Sequence, residues 1–87
     1  MLAVSIGEIF AVERQDNALS GFRTDLEVPE GVDHLGTVRR PPEGFGGAIR
    51  VLERFRCTRA GRFSIGFVEG RAWESDTIRK SAVIDCG

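Results

Sequence analysis

The stretch IRVLERFRCTRAGRFSIGF, residues 49–67, decides the fold. Ile49, Val51, Phe55 and Cys57 fall on one side of an extended chain and Arg50, Arg54 and Arg56 on the other, since side chains in a strand alternate with a period of two. Glu53 interrupts the apolar side and is expected near a sheet edge. Thr58-Arg59-Ala60-Gly61 reads as a hairpin connection. Beyond it, Phe63, Ile65 and Phe67 give the clearest inward alternation in the chain, which predicts a central strand.

The same signal recurs on both sides of this hairpin. Leu2, Val4 and Ile6 alternate in a first strand, Gly7-Glu8 bends the chain, and residues 9–13 read as a second strand. Residues 22–28 make a third, closed by the turn Pro29-Glu30-Gly31, in which glycine is free to take a positive φ. Residues 35–40 make a short fourth. Residues 41–47 hold two prolines without amide donors and three glycines that are costly to order, so they form a loop. After a loop over residues 69–76, a last strand spans 77–86 with Ala82, Ile84 and Cys86 on one side. No window keeps a helical i, i+3, i+4, i+7 stripe. The expectation is an all-β fold, a two-sheet sandwich of about seven antiparallel strands, with a closed barrel as the alternative. At 87 residues, the chain 1–87 is read as one domain with one core.

Composition removes several function classes. Eleven arginines and one lysine against thirteen acids give a net charge of -1, which offers no electrostatic reason for nucleic acid or an anionic membrane as partner. Residues 1–10 lack a basic start and a long apolar run, so no signal peptide is read there. The two cysteines, Cys57 and Cys86, match no zinc or redox spacing; they either form a disulfide or sit in the core as small hydrophobes. His34 is the only histidine, and both cysteines point to the predicted core, which opposes a Cys–His dyad; a metal site from His34, Asp33 and a cysteine fares no better. Carboxylates are scattered without a common face, and residues 44–47 lack the lysine and following helix of a phosphate loop. No enzyme activity, cofactor or metal is expected.

The loops are the informative part. If consecutive strands run alternately up and down, every second connection emerges at the same end of the sandwich. The unusual connections do alternate: residues 14–21, 41–47 and 69–76 are expected at one pole, and the plain turns at 7–8, 29–31 and 60–61 elsewhere. Trp73 beside Arg71 has the character of a binding hot spot, and a glycine-rich neighbour permits close backbone approach. Each loop alone also has a plain reading as a turn, a flexible hairpin or a lid on the sandwich end.

Taken together, these segments resemble the chagasin-like inhibitors of cysteine peptidases. Asn17-Ala18-Leu19-Ser20-Gly21-Phe22 resembles that family's Asn-Pro-Thr-Thr-Gly-Tyr/Phe loop, Gly44-Phe45-Gly46-Gly47 its Gly-x-Gly-Gly loop, and Arg71-Ala72-Trp73-Glu74 its Arg-Pro-Trp loop. The flanks are similar too: residues 4–13 resemble the family's opening V-x-V-G-E-T-F-x-I pair, and residues 55–61 its Phe-x-Ala-x-x-Ala-Gly turn. The resemblance implies an immunoglobulin-like fold whose three loops wedge into the active-site cleft of a papain-like cysteine peptidase. It places Asn17, Ser20 and Gly21 nearest the target's catalytic cysteine, Gly44, Gly46 and Gly47 along one wall by main-chain contact, and Trp73 on the other, with Leu19, Phe45 and Arg71 completing the peptidase-binding set. A monomer is expected. Ala18 and Ala72 stand where the family has prolines, and Leu19 and Ser20 where it has threonines. The alternative is a non-inhibitory immunoglobulin-like binding or adhesion module that keeps the fold and has lost or changed its target.

Overall fold

The computed structural model describes residues 1–16, 22–40, 49–71 and 77–87. They form β1 (Leu2–Val4), β2 (Ile9–Asp16), β3 (Phe22–Glu27), β4 (Val32–Arg40), β5 (Ile49–Cys57), β6 (Gly61–Arg71) and β7 (Thr77–Cys86). Two sheets result, one in the order β1-β7-β6-β3 and the other in the order β2-β5-β4, an immunoglobulin-like sandwich. β6 is interior to the first sheet, as its alternation predicts. All pairings are antiparallel except that of β1 with β7, which is parallel.

The core follows the period-two pattern. Val51, Phe55, Cys57, Ile65, Phe67, Ile84 and Cys86 are buried, joined by Val4, Phe10 and Val32. Phe10 stacks on Phe55 with ring centroids 5.7 Å apart. Cys57 of one sheet and Cys86 of the other form a disulfide across the core, with Cα atoms 6.1 Å apart. Of the two readings the sequence leaves open for these cysteines, the structure shows the bond.

Element bounds depart from the sequence reading in five places: β3 ends one residue early, at Glu27, and the other four have a local reason. β1 stops at Val4 and Ile6 is 51% exposed, because the Glu8 amide donates to the Ser5 carbonyl in a turn with Gly7 at φ +84°. β2 continues past residue 13 to Asp16, and β6 past residue 68 to Arg71, since their cross-strand ladders run on to Ile49 and Phe22. β4 begins at Val32, the register shift between His34 and Gly36 being absorbed by Gly36 at φ +143°. Glu53 is not near an edge: it is 1% exposed on β5, the middle strand of its sheet.

Candidate functional site

The register settles where the strands feeding the three motif-bearing connections end. In the three-stranded sheet Asp16 lies opposite Ile49 and Arg40 opposite Arg50; in the four-stranded sheet Phe22 lies opposite Arg71 and Thr77 opposite Gly70. Both sets of ends lie at the same end of the sandwich: a cleft of about 530 Å³ there is lined by Arg14, Gln15 and Arg50 of one sheet and Phe67, Glu69 and Lys80 of the other. The opposite end is closed by backbone hydrogen bonds: Gly7 N to Cys57 O at 2.9 Å, Thr58 N to Gly31 O at 2.9 Å and Gly87 N to Val4 O at 3.0 Å. Arg59 adds a bond to the Glu30 carbonyl and stacks over Phe63 at 5.8 Å. One pole is thus stitched shut by plain turns, and at the other lie the ends of the strands that flank the three motif-bearing segments.

Of the residues predicted to bind, Asn17, Leu19, Ser20, Gly21, Gly44, Phe45, Gly46, Gly47 and Trp73 lie outside the described residues. Arg71 is described in its backbone, as the last residue of β6, paired with Phe22.

Beneath this pole sits a cluster that alternation alone does not reveal. Arg14 donates from Nε and Nη2 to Glu53 Oε1 at 3.1 and 3.0 Å; Thr37 Oγ1 donates to Oε2 at 2.7 Å, and His34 Nε2 is 2.7 Å from the same oxygen. Burial raises the Glu53 carboxyl pKa, but hydrogen bonds from Thr37, His34 and Arg14, with the Arg14 charge, outweigh it and leave the group below its ordinary 4.5. A signal for this cluster exists in the sequence: Arg14 continues the inward series Phe10, Val12, so an inward cation and an inward Glu53 call for each other. His34 is therefore a partner of Glu53, and with both sulfurs in the disulfide neither is a thiolate for it to activate. Among the described residues no group of three or more His, Cys, Asp or Glu side chains has the arrangement of a metal site.

Fold and strand ends together define a class: an immunoglobulin-like sandwich in which the strands flanking three alternate connections end at one pole. Solved structures of this kind are similar over nearly the whole chain. The crystal structure of the cysteine protease inhibitor EhICP2 from Entamoeba histolytica superposes with a TM-score of 0.78 at 14% identity, covering 99% of this chain and 84% of that one. The solution structure of amebosin superposes with a TM-score of 0.72 at 15% identity, covering 99% and 87%. No known family profile and no curated protein sequence matches the chain. The fold expected from the resemblance is the fold found.

Proposed function

We propose that the chain inhibits papain-like cysteine peptidases by occluding the active-site cleft with the connections 17–21, 41–48 and 72–76. The observation that carries the reading is the convergence, at one end of the sandwich, of the strand ends that flank all three motif-bearing segments. Similarity in fold to a cysteine protease inhibitor over 99% of the chain supports it. In this reading Asn17, Ser20 and Gly21 approach the target's catalytic cysteine, Gly44, Gly46 and Gly47 follow one wall through their main chain, and Trp73 packs on the other, with Leu19, Phe45 and Arg71 beside them. No covalent step is involved. A sheet-mounted wedge loses little freedom on docking, so an interface of about 1,600 Å² in total suffices for tight binding. Ala18 and Ala72, in place of prolines, add an ordering cost of roughly 0.5–1 kcal/mol at each loop.

The test is a titration of papain with the purified protein, following hydrolysis of a fluorogenic peptide, alongside Trp73→Ala. Saturable inhibition by the wild type is expected, weakened in the variant by about 2 kcal/mol or more, on the order of thirty-fold. An unchanged inhibition constant would remove Trp73 from the site. Full papain activity at high micromolar inhibitor would end the reading and leave a binding module of the same fold.

A further inference from the structure

The Glu53 cluster is out of keeping with its surroundings. Its neighbours on the inward face of β5, Val51 and Phe55, are fully buried hydrophobes, and an apolar side chain between them would satisfy packing alone. A carboxylate at 1% exposure has instead drawn donors from both flanking strands, Arg14 on β2 and Thr37 with His34 on β4. These are the strands that lead into the connections 17–21 and 41–48, and β5 is the strand that leaves the second of them. Arg14 reaches Glu53 from the level of Val51, toward the loop-bearing pole, while Thr37 lies directly opposite Glu53.

We infer that Glu53 is a positioning residue for the loop-bearing pole: from the middle of β5 it ties Arg14, near the end of β2, and Thr37 and His34 of β4 into one register and so fixes where β2 and β4 lead into two of the three motif-bearing connections. Hydrogen bonds to a charged acceptor are directional, whereas apolar contacts tolerate sliding. The consequence for inhibition rests on the proposed function; the consequence for the strand ends does not.

Two readouts separate these. Glu53→Gln keeps the shape and removes the charge; the double variant Arg14→Leu/Glu53→Met replaces the ion pair by apolar groups of similar volume, a change often neutral for buried pairs, and leaves the Thr37 hydroxyl and His34 imidazole without their shared acceptor. Amide hydrogen exchange is measured at Arg14, Arg40 and Arg50 near the pole, whose amides face the partner strand in the register, with Gly7, Val32 and Thr58 at the closed end as internal reference. In both variants exchange at the pole is expected to accelerate by on the order of tenfold with the reference amides unchanged, and papain inhibition to weaken by a similar factor. A folded double variant with wild-type exchange at the pole overturns the inference. If wild type itself leaves papain active, the proposed function fails while the exchange comparison still decides the positioning role. Should the double variant not fold, Thr37→Val, which removes one donor at nearly constant volume, takes its place: exchange about threefold faster at Arg40 and Arg50 is expected, and none would overturn the inference.

Discussion

At the scale of single residues, the decisive group is the Glu53 carboxylate. Its folded-state pKa lies below 4.5, where the unfolded chain titrates, so its contribution is fully present above that value and is lost as pH falls through the folded one. Urea unfolding between about pH 7 and pH 2.5 should therefore show an acid limb that is shallower in Glu53→Gln than in wild type. At neutral pH the same substitution should cost roughly 2 kcal/mol, the range for hydrogen bonds to a charged partner. Equal acid limbs would mean that the cluster does not hold the carboxylate charged. Glu27 is also held below its usual range, by a bidentate bond from Arg79, but this pair is exposed on the outer face and belongs to the solvated surface.

At the scale of elements, strands and turns are held by different physics. Phe55 on β5 is fully buried between Phe10 and His34, with centroids 5.7 and 5.1 Å away. Phe55→Ala should destabilise by about 3–5 kcal/mol in chemical denaturation, the cost of transfer plus the cavity. Gly31, in the turn between β3 and β4, has φ +102°, and a Cβ there would come within 2.6 Å of Phe63 Cζ and 2.8 Å of Arg59 Nε. Gly31→Ala thus meets both backbone strain and a clash, and a loss of roughly 2 kcal/mol is expected in a thermal melt. A neutral Gly31→Ala would show that the Phe63 and Arg59 side chains move aside at little cost.

At the scale of the whole molecule, the Cys57–Cys86 bond ties the two sheets together. Its 29-residue separation makes it a long-loop crosslink. Replacing both cysteines by serine should lower stability by about 3.5 kcal/mol on the chain-entropy account, read from chemical denaturation with a larger m-value, since the unfolded chain without the crosslink is more expanded. The bond lies toward the closed pole, since Gly61, at the start of β6, lies opposite Cys86, and the Gly7 amide donates to the Cys57 carbonyl. The serine variant, kept below its melting temperature, is expected to inhibit papain as wild type does, because the strand ends at the far pole are fixed by other contacts.

Residues 49–67 pointed to the fold class, because alternation reports which side of a strand is dry, and the same alternation recurs along the rest of the chain between turns marked by Gly and Pro. The order of the three unusual connections predicted that the strand ends flanking them share a pole, since antiparallel strands return the chain to the same end at every second turn, and the register brings those ends together. Other features had to wait for tertiary structure. Alternation assigns Glu53 a side but not a neighbour, so the sequence placed it at an edge; only the cross-strand register brings Arg14, Thr37 and His34 to it and makes the middle of a sheet habitable for a carboxylate. Spacing could not choose between a disulfide and two buried thiols, because a bond depends on two sheets meeting face to face. Strand ends moved for the same reason: a ladder runs on as far as its partner strand does, and no residue carries that length in its own chemistry.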